Sequence, residues 1–96
     1  MAYVFEWDTV KAASNLQKHG VTFHEAMTVF GDPVALREPD PDHSADEPRH
    51  LILGMSAHDR VLVVVFVERF GRLRLISARC ANRRERRHYE TQSSTR

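Results

Sequence analysis

The order of apolar and polar positions changes period three times along the chain. Tyr3-Val-Phe-Glu-Trp7 alternates, as a short strand does. Asp8 is placed to cap a helix running through Lys18, with Val10, Ala13, Leu16 and Gln17 along one side and Gly20 to end it. Thr22 and Glu25 have the T-x-x-E spacing of a capping box, opening a second helix whose Phe23, Ala26, Met27 and Phe30 share an apolar face. Gly31-Asp-Pro33 turns the chain, and strand-like runs follow: Val34 to Glu38, Arg49 to Ser56, Val61 to Glu68 and Leu73 to Arg79. Ala57-His-Asp-Arg60 and Arg69-Phe-Gly-Arg72 supply the tight turns between the last three. Asn82 and Glu85 repeat the capping-box spacing before a third helix from Arg83 to about Glu90. The polar stretch from Thr91 to Arg96 reads as a frayed tail.

The predicted order is β-α-α-β-β-β-β-α. Strands joined in short succession imply a small, mainly antiparallel sheet with helices packed on it, an α+β fold. Val61 to Val67 is apolar at both parities, so it belongs at the centre of the sheet, covered on both faces. On the last strand Arg72 and Arg74 share one parity, Leu73 and Leu75 the other, which leaves one face for water or a ligand. No repeat and no long linker divides the 96 residues, so residues 1–96 read as one domain.

Charge refines this picture. The net charge of +1 conceals a first half, residues 1–48, with three bases against nine acids. The second half carries eleven arginines against four acids, an excess of seven positive charges that points to an anionic partner. A single cysteine, Cys80, excludes an internal disulfide. An acidic start without a signal-like apolar stretch, and no run long enough to span a bilayer, point to a cytoplasmic protein without membrane contact.

Most specialised chemistry is absent. Asp40, Asp42, Ser44 and Asp46 have the spacing of the first calcium ligands of an EF-hand, but Ala45 stands where that loop needs glycine and Leu51 where it needs glutamate. The six histidines lack metal-ligand spacing, so no metal and no cofactor is expected. Ser77 and Cys80 lack the setting of a nucleophile, and no glycine-rich phosphate loop is present. What remains is basic. Glu68 and Arg69 close the central strand; Arg72, Arg74 and Arg79 line the last; Lys18 and His19 end the first helix. Arg83, Arg84, Arg86 and Arg87 make the third helix a candidate surface for RNA or for an acidic protein.

The segments Phe5-Glu-Trp-Asp8, Lys11-Ala-Ala-Ser-Asn-Leu-Gln-Lys-His-Gly-Val21, Phe23-His-Glu-Ala26 and Val29-Phe-Gly-Asp-Pro33 resemble the opening of the BrnT family of ribonuclease toxins. The resemblance continues through Asp40-Pro-Asp-His-Ser44, Gly54-Met-Ser56, Val63-Val-Val65, Glu68-Arg69, Arg74-Leu-Ile-Ser-Ala-Arg79 and Arg83-Arg-Glu-Arg86 to Tyr89-Glu90. Thr9 departs from it, standing where the family commonly has proline. The resemblance implies a RelE-like fold and an endoribonuclease that blocks translation. It also implies a BrnA-type antitoxin, in a complex that represses its own operon through the antitoxin. A 2:2 assembly built on antitoxin dimerisation fits that scheme.

Without metal ligands, RNA cleavage must use the substrate's own 2′-hydroxyl, giving a 2′,3′-cyclic phosphate and a 5′-hydroxyl. The expected roles are Arg69, Arg74 and Arg79 on the phosphoryl oxygens, Glu68 as general base, and Lys18 or His19 as proton donor. The competing expectation is a non-catalytic module that binds nucleic acid or protein through the same basic half.

Overall fold

The computed structural model describes residues 3–40 and 47–94, with backbone alone for Ser93 and Ser94. The expectations for the acidic loop fall largely on residues 41–46, outside the described residues. Within them the elements are β1 (Val4–Glu6), α1 (Thr9–His19), α2 (Phe23–Thr28) with a 3-10 turn (Val29–Gly31), β2 (Leu36–Pro39), β3 (His50–Met55), β4 (Val61–Arg69), β5 (Arg72–Cys80) and α3 (Arg83–Ser94). The α+β class and the element order match the expectation. α3 runs four residues past its expected end, through most of the segment read as a frayed tail.

The strands form one sheet in the order β1-β5-β4-β3-β2. β4 lies at its centre because its alternate side chains feed two separate cores. Leu62, Val64 and Phe66 join the first, with Phe23, Ala26, Val29 and Phe30 of the α2 region and Leu73, Leu75 and Ala78 of β5. Val61 and Val63 join the second, with Leu53, Ala81 and Tyr89. The sheet therefore has a first face under α1 and α2 and a second face under α3. The three pairings among β2 to β5 are antiparallel, whereas β1 lies parallel to β5, so the sheet is mixed at one edge.

Strict alternation along β5 would put Arg79 with Leu73 and Leu75, away from Arg72 and Arg74. The ladder shifts register instead: Val65 opposes Ser77 while Phe66 opposes Leu75, leaving Ile76 as an extra residue. After this bulge Ala78 enters the first core, and Arg79, opposite Val63, joins Arg72 and Arg74 on the second face. No periodicity in the sequence announces that change of side.

The first face is closed by polar groups that the apolar pattern did not single out. α1 does not bury the side carrying Val10 and Leu16, which are 76% and 48% exposed. It buries Asn15 instead and packs half-buried Ala12 against the first core. The Asn15 side chain donates to the carbonyls of Val21 (3.0 Å) and Ala78 (2.8 Å) and accepts from the Ala78 N–H (3.0 Å). It thus satisfies β5 backbone beyond the reach of three-residue β1, where an unpaired buried edge would be costly.

Glu25 departs in the same way. The Thr22 hydroxyl caps α2 by accepting from the Glu25 N–H at 3.0 Å, but the carboxylate does not return to Thr22. It is buried, taking hydrogen bonds from Ser56 Oγ (2.7 Å) and from Arg60 Nε (2.9 Å) and Nη2. Arg60 also donates to the Gly20 carbonyl at 3.1 Å. One ion pair therefore ties together α2, the end of α1 and the β3–β4 turn. The Arg60 hydrogen bonds, which outweigh burial, hold the Glu25 carboxyl below the usual range.

Candidate active site

The second face is the less covered one. α3 is anchored by Tyr89, whose hydroxyl donates to Asp32 Oδ2 at 2.6 Å, and by Ala81 in the second core. Its start is a complete capping box: the Glu85 N–H donates to Asn82 Oδ1 (2.8 Å) and the Asn82 N–H to Glu85 Oε1 (2.9 Å). The same Glu85 carboxylate receives both Arg79 nitrogens at 2.8 and 2.9 Å. Those bonds hold Glu85 below the ordinary carboxylate range and raise the Arg79 pKa further. The first turn of α3 is thereby fixed to β5.

Between α3 and the sheet lies a cleft of about 650 Å³, lined by Glu38, Leu51, Leu53, Val63, Asn82, Arg84, Glu85 and His88. Its floor is apolar, from β3 and β4. Its walls are polar: Glu38 from β2 on one side, Arg84 and His88 from successive turns of α3 on the other. Arg84 and His88 are exposed, and no described hydrogen bond occupies either side chain. The residue types suit phosphoryl chemistry. A guanidinium binds anionic oxygens, an imidazole moves protons near neutral pH, and a carboxylate can accept one.

The arginines extend this face toward the β4–β5 turn. Arg74 pairs with Glu6 at 2.9 Å, and Arg72 reaches the same carboxylate only at 3.8 Å. Arg69, opposite Arg72, makes two bonds of 2.7 Å to Glu47. Arg69, Arg72, Arg74 and Arg79 thus share the second face, Arg79 only because of the bulge at Ile76, and each has a carboxylate partner.

The other expected site residues lie elsewhere. Glu68 opposes Leu73, a first-core residue, so it points to the opposite face from Arg69. Lys18 and His19 line a small depression of about 190 Å³ with Lys11, Ser14, Asn15, Ile76 and Ser77, at the β5 edge under α1. The expected set of Glu68, three arginines and Lys18 or His19 is therefore split between two faces of the sheet.

α3 also divides its arginines. Arg84 lines the cleft, Arg86 donates to the Ala81 carbonyl at 2.9 Å, and Arg83 and Arg87 are exposed outside the cleft. Sequence reasoning missed Glu38 and His88. The i, i+4 spacing of Arg84 and His88 was a signal for one wall. Nothing local links Glu38 to it, because only the sheet order brings β2 opposite α3. Among the described residues, no group of three or more His, Cys, Asp or Glu is arranged to hold a metal ion.

Residues 7–85 match the family model for the ribonuclease toxin BrnT of type II toxin–antitoxin systems. The chain belongs to the BrnT family. The crystal structure of the Brucella abortus ribonuclease toxin BrnT has the same fold, with a TM-score of 0.63 and 24% identity, over 85% of this chain and 100% of that one. No curated protein matches the chain. Membership makes this a ribonuclease-toxin sequence of a type II system, in which an antitoxin is the toxin's partner. Of the cleft's polar residues, Glu38, Arg84 and Glu85 lie within the BrnT match and His88 three positions beyond it. No described helix is long and apolar enough to cross a membrane.

Proposed function

We propose that the protein is an endoribonuclease whose reaction takes place in the cleft under α3, by attack of the substrate's 2′-hydroxyl on the adjacent phosphodiester. The observation that carries this reading is the convergence of Glu38, Arg84 and His88 on one concave, partly apolar site, beside the Arg79–Glu85 pair. Glu38 takes the 2′-hydroxyl proton, and His88 in its protonated form delivers one to the departing 5′-oxygen. Arg84 meets the charge that builds on the non-bridging oxygens. Arg79, already bonded to Glu85, holds the wall in place, while Arg72 and Arg74 guide the strand along the sheet. The products are a 2′,3′-cyclic phosphate and a 5′-hydroxyl.

This assignment moves the acid and base away from Glu68, Lys18 and His19, which the sheet separates from the arginine row. Cleavage of this kind blocks translation by destroying messages. A BrnA-type antitoxin neutralises the toxin by covering the second face, where acidic side chains would meet Arg72, Arg83, Arg84 and Arg87. The toxin–antitoxin complex then represses its operon through the antitoxin.

The test is end analysis of RNA incubated with the purified protein. Cyclic phosphate and 5′-hydroxyl ends, formed substoichiometrically and abolished by a 2′-deoxy substitution at the cleaved position, are expected. Products with 3′-hydroxyl ends, or a mobility shift without cleavage, would overturn the reading.

A further inference from the structure

The β4–β5 turn carries an aromatic ring that the fold does not use. Phe70 is 95% exposed, whereas Phe23 and Phe66 are almost wholly buried. Its backbone has φ of 53°, in the left-handed region, followed by Gly71 at 76°. Two successive positive φ values are those of a type I′ turn, where asparagine followed by glycine is the favoured pair. A phenylalanine there is opposed twice: its β-carbon disfavours the backbone, and its ring gains nothing from burial. Strain of this kind at an exposed position points to a use outside folding.

The surroundings identify the occupant by charge. Arg69 and Arg72 bracket the Phe70-Gly71 turn in the chain and oppose each other across the hairpin, Arg69 being bonded to Glu47. Glu6 is shared between Arg72 and Arg74, so one carboxylate faces two guanidinium groups. Arg72 is 61% exposed, the freer of the two. A projecting ring between cations is the arrangement that takes a nucleobase on its face and the neighbouring phosphates on its flanks.

We infer that Phe70 is a base-stacking contact for single-stranded RNA, holding a nucleotide outside the cleft while Arg72 binds the adjoining phosphate. This rests on the ribonuclease reading and adds to it a second point of substrate capture. Phe70 touches no reacting atom in this account; it positions the strand. Its loss should therefore raise KM and leave kcat nearly unchanged.

The experiment measures binding of a 2′-O-methyl oligoribonucleotide, which 2′-hydroxyl attack cannot cleave, to the wild type and to Phe70→Asn and Phe70→Trp. Asparagine suits the turn better than phenylalanine, so a folding defect does not enter. Affinity should fall about 5- to 100-fold in Phe70→Asn and be kept in Phe70→Trp, the range found when one base–aromatic stack is removed. An abasic oligomer of equal length should bind the wild type and Phe70→Asn alike. Undiminished binding by Phe70→Asn, or an equal loss on the abasic oligomer, would overturn the inference. So would unchanged RNA binding with loss of the antitoxin, which would assign the ring to a protein partner. Absence of wild-type binding would also overturn the inference, whereas the ribonuclease reading would fail only if unmodified RNA were not cleaved to the ends given above.

Discussion

The two faces of the sheet use charge in opposite ways. On the first, Glu25 is buried against Arg60, and Asn15 completes the backbone of β5. These groups are enclosed, satisfied and unavailable to a ligand. On the second, carboxylates meet arginines at the surface, with both partners of the Arg79–Glu85 pair part-exposed, and a cleft remains open beside α3. Enclosed polar groups fix a fold because leaving any one unpaired is expensive. Exposed guanidinium groups add little to stability and so are free to be redirected by an anion. The comparison teaches that the number of arginines is a poor guide to a site; the side of the sheet they occupy decides.

Substitutions on the two faces should therefore fail differently. Among the arginines, the largest effect on rate is expected from Arg84→Ala, which removes a guanidinium bearing no part of the fold. Single-turnover cleavage should drop by about two to three orders of magnitude, as for loss of an oxyanion donor. Its melting temperature should match the wild type, and a lowered one would blur the distinction. On the first face the largest loss is one of stability. Asn15→Ala leaves the Ala78 N–H and two carbonyls buried without partners, and should cost about 3 kcal/mol in denaturant unfolding at about 1–3 kcal/mol per orphaned group.

Glu25→Gln should cost less, about 2 kcal/mol. Breaking a fully buried pair costs about 3–5 kcal/mol, but Arg60 is 39% exposed and water recovers part of the loss. The pH dependence follows from the same carboxylates. Glu25 and Glu85 are held below the unfolded glutamate value of about 4.3, each chiefly by an arginine hydrogen bond. The unfolded chain takes up their protons first, so their stabilising contribution is complete above that value and drains as pH falls through the folded values. The denaturation midpoint should be level from neutral pH to about 5.5 and decline in more acid solution, less steeply in Glu25→Gln. An equally steep decline in that variant would show that Glu25 does not carry the effect. The smallest effects are expected from Lys18→Ala and Glu68→Ala, with cleavage rates within about twofold of wild type, as for exposed side chains on the wrong face.

Most of the architecture was legible because it rests on local rules. Gly20 takes the left-handed conformation expected of a helix end, Asp8 caps α1, and the two-parity run of Val61 to Val67 becomes the central strand. The errors share a cause. Glu25 and Asn15 have helical spacing, but their side chains answer backbone and charge contributed by residues 35 and 63 positions away. The bulge at Ile76 changes the side on which Arg79 emerges, an event set by pairing with β4 rather than by β5 itself. The parallel pairing of β1 with β5 joins the first strand to the last and leaves no local trace. The candidate site rests on the sheet order that brings β2 opposite α3: Arg84 was singled out as part of a basic helix surface, whereas Glu38 and His88 were not singled out at all.

The central claim is that catalysis belongs to the α3 face, and two histidines on opposite sides of the sheet test it together. Single-turnover cleavage of one RNA substrate would be compared for His88→Ala and His19→Ala. Both side chains are exposed, so neither change should disturb folding. The account predicts a loss of about 10²- to 10⁴-fold for His88→Ala, the contribution of a general acid, and a wild-type rate for His19→Ala. The reverse result, with His88→Ala active and His19→Ala silent, would contradict it and move the chemistry to the depression under α1.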